Sequence, residues 1–196
     1  MPKATINSLP GEQPGEKIVR LFKHFVGCSL TNRRSELGKL VSREVDNPEV
    51  VVTIATNCGT SALGIMALAG VQHALLDKHY VSGAAISWCL KIGYDLGALR
   101  DVRNSKGVIP PVGSLLHYNT EGTNNDHVEW LLSKPDEHGN AIHGGGGRVG
   151  NALGMSGPSN IWLNNNRPLV AYIDPDLLGI EVVPAGSDIN EAYPDD

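Results

Sequence analysis

Between Glu16 and Val26 apolar side chains recur at Ile18, Leu21, Phe22 and Phe25, while Lys17, Arg20 and Lys23 lie off that stripe. Three-and-four spacing of this kind predicts a helix with one buried face. A second helix is predicted over residues 34–45, carrying Leu37, Leu40 and Val41 and stopping near Pro48, because the residue before a proline avoids helical geometry. The β-branched run at residues 50–56 reads as a short strand or as an extended lead into the next element. After it, NCGTSALGIMALAGV predicts a helix capped by Thr56 or Asn57, with Ala62, Leu63, Met66 and Leu68 or Ala69 turned inward and Gly70 as its stop. The longest helix is predicted from Tyr80 to Arg100, where Val81, Ala85, Trp88, Ile92, Leu96 and Leu99 keep the helical period and Gly83, Gly93 and Gly97 weaken it.

Beyond Pro110 and Pro111 the period changes. VGSLLHYN, HVEWLL, NAIHG, SNIWLN and LVAYID are short strand-like runs separated by Gly, Asn, Asp and Pro, which predicts a meander of antiparallel strands. Helices first and strands second make an α+β fold, with the helices gathered on one side of the sheet. The Pro- and Gly-rich start, residues 1–15, reads as a flexible arm, and residues 16–196 as a single domain. Two low-complexity patches stand out, Gly144–Gly147 and Asn164–Asn166.

Composition narrows the function classes. A net charge of −5 with no basic block argues against nucleic-acid binding, whose affinity comes from Lys and Arg on phosphates. The start has no apolar core of the length a secretory signal needs, and no later stretch has the roughly 20 apolar residues of a membrane helix. The expectation is a product made in the cytoplasm without a signal peptide and without membrane insertion. Cys28, Cys58 and Cys89 form no close pair of the metal type, and their odd number argues against a disulfide framework.

Cys58 has the setting of a nucleophile. If Asn57 caps the helix, the thiol sits at the helix N-terminus, where free N–H groups and the macrodipole favour a thiolate. The same N–H groups suit an oxyanion, and Gly59 leaves room for a substrate. The competing reading is a small buried packing residue, which is the better reading of Cys28 and Cys89. His127 opens HVEWLL and His143 closes NAIH, with a turn between them. A hairpin centred near Pro135 would make them cross-strand neighbours, one as the base and the other orienting it. Asp126 should point to the opposite face from His127. His24, His73, His79, His117 and His138 read as surface or packing residues. Gly144, next to His143, either admits a substrate backbone or belongs to a loop formed by the glycine run, and the loop is preferred.

NCGTSALG, PPVGSLLHY, DHVEWLL and NAIHG follow an order that resembles the NlpC-type cell-wall peptidases, papain-like cysteine hydrolases, over roughly residues 57–147. The resemblance implies a papain-like fold, a nucleophile at Cys58, a base at His127 and a third polar group at His143. Asn57 and Gly59 stand where the family commonly has an acidic residue and a serine, and no tyrosine precedes Tyr80. Oxyanion donors would then be backbone N–H groups near Cys58. It also implies amide hydrolysis in peptidoglycan stem peptides with no cofactor. The setting would be that of a phage lysin, or of an antibacterial effector acting in the periplasm or cell wall after injection, with an inhibitor or immunity protein as partner. Two other readings stay open: a zinc hydrolase with Cys58, His127 and His143 as ligands, and a non-catalytic binding module on the same fold.

Overall fold

A computed structural model describes residues 6–27, 58–71, 85–103, 107–121, 126–149 and 152–188. The helix predicted over residues 34–45, the run at 50–56, Cys28, Asn57 and the start of the predicted long helix lie outside the described residues. What is described is an α+β fold, with helices packed on an antiparallel sheet.

The first helix, α1, spans Pro14–His24. Proline's fixed φ suits the first helical position, and the Glu16 carboxylate accepts the free Gln13 N–H at 2.9 Å, so the helix begins ahead of its apolar stripe. Ile18, Leu21, Phe22 and Phe25 are fully buried, as their spacing predicts. Lys17 is buried too, and its Nζ donates to Ser8 Oγ at 3.0 Å. Ser8 Oγ–H in turn donates to the Glu181 carbonyl at 2.6 Å, and Pro10 bridges Val183. Residues 6–13, expected as part of a loose arm, are thus tied to residues 181–183, because backbone polar groups turned toward the protein need partners.

Helix α2, Cys58–Ala69, is the centre of the helical layer. Residues Ala62, Leu63 and Ile65 to Ala69 are all buried, so the helix is enclosed on every side rather than amphipathic. Gly70, at φ 93°, ends it. Helix α3 spans Ala85–Asp95, short of the predicted Arg100. Gly97 at φ 67° turns the chain, and Leu99–Asp101 leave as strand β1. Gly93 stays in the helix and lets α3 lie close to the sheet, since a Cβ there would stand 2.9 Å from the Ile173 side chain.

The remaining strands are β2 (Leu115–Tyr118), β3 (His127–Leu131), β4 (Asn140–Ala141), β5 (His143–Val149), β6 (Ala152–Met155), β7 (Ser159–Asn160), β8 (Leu163–Asn164) and β9 (Arg167–Ile173). The main sheet runs β1-β9-β2-β3-β5-β6, with β8 beside β9 and β4 paired separately with β7. It is not a simple meander, because the last strand inserts between β1 and β2. Period-2 alternation divides the two faces. Val128, Trp130 and Leu132 pack with the helices, whereas Leu116, Tyr118, Leu131, Leu169 and Tyr172 form a second cluster on the other face with Ala141 and Ile161.

The strands differ from expectation in two places. The glycine run is strand, not loop: Gly144, Gly145 and Gly146 pair with Met155, Gly154 and Leu153 of β6. The hairpin register also differs, with Leu131 opposite His143 and Trp130 opposite Gly144. The turn is built at Asp136–Asn140, where Asp136 N–H donates to the Asn140 carbonyl and Oδ1 accepts from the His138 and Asn140 N–H groups. His127 and His143 are therefore not cross-strand partners.

Gly144 is a packing position: a Cβ there would lie 2.5 Å from the Gly154 carbonyl oxygen and 2.9 Å from the Phe22 ring. Because the nearest atom is backbone and cannot step aside, Gly144→Ala should lower stability by about 1–3 kcal/mol, read by denaturant unfolding.

Candidate active site

Cys58 is the first residue of α2 and is half-buried against the helix-side core. Two ties hold that helix start in place. Ser61 Oγ–H donates to the Cys58 carbonyl at 2.7 Å, and Gly146 N–H of β5 donates to Ser61 Oγ at 2.9 Å. Cys89 of α3, fully buried, donates its S–H to the Gly59 carbonyl at 3.3 Å. Burial pushes the Cys89 thiol well above the ordinary range, with the nearby Cys58 charge adding to it, which fits the packing role expected for it.

His127, first residue of β3, links Cys58 to a carboxylate that the sequence pattern did not single out. Its ring hydrogen-bonds Cys58 on one side. On the other, Nε2 lies 3.0 Å from Glu129 Oε1. With Glu129 ionised, Nε2 carries a proton and donates it, which leaves Nδ1 for the sulfur. Glu129 sits two residues along the same strand, so the pleat places both side chains on one face. Asp126, one residue before His127, points away as expected, and its Oδ1 lies 2.9 Å from His117 Nε2.

Glu129 is only 1% exposed and is the hub of the site. Its Oε2 accepts from Asn164 Nδ2 at 3.0 Å and from His143 Nδ1. His143 Nε2 lies 2.6 Å from Ser159 Oγ. His143 thus belongs to the site but does not touch the base directly, because Glu129 stands between the two rings. Gly145 lies beside it, where a Cβ would stand 3.2 Å from the Val128 carbonyl oxygen and in ordinary contact, 3.4 Å, with Glu129 Cγ. Gly144 faces Phe22 on the helix side, and Asn57 lies outside the described residues. Cys58, His127 and His143 do not form the convergent set a zinc ion would need, and no group of three metal-liganding side chains occurs among the described residues.

Charges settle accordingly. Burial works to raise the Cys58 thiol, but the hydrogen bond and charge of His127, with backbone N–H donors at Val128 and Gly59, outweigh it and hold the thiol below its ordinary value. Burial works to lower His127, but its bonds to Cys58 and Glu129 raise it to about 9. Burial would raise Glu129, yet its hydrogen bonds from His127 and His143 hold it well below the usual carboxylate range. Both shifts run in the direction of a thiolate–imidazolium pair, the form in which a cysteine attacks.

No protein-family model, curated protein or solved structure matches the chain. Among the described residues no helix is long and apolar enough to cross a membrane.

The ion pair is directly measurable. At pH 6 an ordinary thiol, with a pKa of about 8.5, is under about one per cent ionised. Cys58 should still be alkylated by iodoacetamide at that pH, and Glu129→Gln should slow the reaction about tenfold by removing the charge that supports His127. Mass spectrometry of the Cys58 peptide reads both rates. An unchanged rate in the variant would remove Glu129 from this role.

Proposed function

We propose that this protein is a cysteine peptidase or amidase, with Cys58 as nucleophile, His127 as general base and acid, and Glu129 orienting His127. The observation that carries the reading is the placement of His127, bonded to a thiol at a helix N-terminus on one side and to a buried carboxylate on the other. A packing cysteine needs neither partner.

In the reaction, His127 takes the Cys58 proton and the thiolate adds to an amide carbonyl. Backbone N–H groups at the start of α2 stabilise the negative oxygen of the tetrahedral intermediate. As that intermediate collapses, the C–N bond breaks and His127 gives its proton to the leaving amine. Water, deprotonated by the same ring, then attacks the thioester and frees the acid and the thiol. Glu129 keeps the ring in one tautomer throughout and offsets the imidazolium charge, as a carboxylate does behind the histidine of a serine hydrolase.

The substrate class we propose is the stem peptide of peptidoglycan. Its support is the resemblance of NCGTSALG, PPVGSLLHY, DHVEWLL and NAIHG to the NlpC-type peptidases, which are papain-like. Action on the cell wall as a lysin or an injected effector, with an immunity protein as partner, belongs to the same proposal.

Purified muropeptides incubated with the protein should yield shortened peptides by mass, and Cys58→Ala and His127→Ala should each reduce the rate by at least about a thousandfold. Cleavage by Cys58→Ala at the native rate, or no cleavage across several peptidoglycan types, would overturn the assignment. kcat/KM should be bell-shaped in pH. It falls on the acid side as Cys58 regains its proton, and on the alkaline side as His127 loses the proton it must give, near pH 9.

A further inference from the structure

Behind the reacting groups lies a polar chain that the mechanism does not use. The two oxygens of Glu129 are engaged differently, with Oε1 facing His127 and Oε2 held from behind by Asn164 and His143. Ser159 Oγ stands 2.6 Å from the far nitrogen of His143. His143 is 2% exposed. A carboxylate with one oxygen pinned has little freedom to swing the other away from its partner, and a buried ring with both nitrogens engaged has one orientation.

Backbone pairings build this clamp. Ser159 is placed by the β4–β7 pairing, opposite Ala141 and so two residues from His143 in register. His143 is fixed at its main chain by Ser156, whose Oγ–H and N–H both donate to the His143 carbonyl, at 2.9 and 2.8 Å. Asn164 ends β8 at a two-residue hairpin whose central residues, Asn165 and Asn166, have φ of 47° and 64°. That is the left-handed pair a type I′ turn requires, and asparagine tolerates it better than other non-glycine residues. The Asn164–Asn166 patch therefore has a physical use: two residues make the turn and the first supplies the amide.

We propose that Ser159 and His143 are positioning residues, in which Ser159 fixes the His143 ring so that its Nδ1–H, with the Asn164 amide, holds Glu129 Oε2 and turns Oε1 toward His127. The inference rests on Cys58 and His127 being nucleophile and base. Nδ1 of His143 carries its proton in either charge state of the ring, because it faces a carboxylate. Ser159 acts only through His143, so its effect should vanish when the imidazole is gone.

The test uses the full chain, iodoacetamide as probe and mass spectrometry of the Cys58 peptide, with rates followed from pH 5 to 9. Ser159→Ala should move the alkylation midpoint toward that of an ordinary thiol and slow the reaction at pH 6 about tenfold. His143→Ala should do at least as much. His143→Asn, which keeps an amide donor near the place of Nδ1–H, should restore most of the loss, and adding Ser159→Ala to it should change the rate by less than about threefold. Circular dichroism and thermal midpoints establish that each variant is folded. Should the variants not fold, nitrogen-15 spectra of the wild-type histidines still decide, since His143 must show a proton on Nδ1 across neutral pH.

A bare His143 Nδ1, a wild-type profile in folded Ser159→Ala, or an equal Ser159→Ala effect in the His143→Asn background would each overturn the proposal. An ordinary thiol profile for Cys58 in the wild type has a different meaning. The nucleophile-and-base reading itself would then fail and take the proposal with it, before any substitution is compared.

Discussion

A carboxylate with 1% of its surface exposed cannot be left to water, and the rest of the site follows from how Glu129 is satisfied. Its two oxygens draw donors from three strands, His127 on the same strand, His143 on β5 and Asn164 on β8. Once those donors are committed, the His127 ring has a fixed direction and Cys58 finds a proton acceptor at the start of α2. The same negative charge that is costly to bury stabilises an imidazolium, and the imidazolium stabilises a thiolate. Removing any link leaves a buried polar group without its partner.

The two faces of the sheet divide the site between them. Val128, Trp130 and Leu132 lock β3 to the enclosed helix α2, which sets where the thiol stands. His127, Glu129 and Leu131 project from the other face, where β7, β8 and their apolar neighbours Ile161 and Leu169 form a wall. Gly145 keeps the sheet beside Glu129 free of a side chain. Precision therefore comes from strands and a helix rather than from loops, as preorganised chemistry requires.

Much of this is legible in the chain. The apolar stripe of α1, the helix beginning at Cys58, the strand beginning at His127 and the α+β order all follow from periodicity and punctuation, which are local properties. Glu129 is legible in principle, since the strand alternation that turns Asp126 away from His127 also puts residue 129 beside it, but nothing local marks that carboxylate as buried. The hairpin register departs from expectation for a metric reason: shifting a turn by two residues along the chain moves the cross-strand partner by four, so His143 meets Leu131. Glycines 144–146 suggest a loop because glycine has low strand propensity. Here the space taken by Phe22 and the Gly154 carbonyl selects against a side chain at 144, which no local scale records. Helix α3 is shorter than its apolar pattern because Leu96 and Leu99 stay in phase across Gly97, where the backbone turns away. The roles of Ser159 and Asn164 depend on pairings far apart in sequence.

The insertion of β9 between β1 and β2 has a consequence in time as well as in space. Cys58 and His127 leave the ribosome well before Ser159, Asn164 and the strand that closes the middle of the sheet. Until residues 167–173 arrive, β1 has no strand partner, β2 is paired only with β3, and β8 behind Glu129 lacks its neighbour β9. Pairings this distant are late and slow events in folding. A chain that stops short of residue 173 thus carries the thiol and the imidazole without the strand pairing that supports the wall behind Glu129.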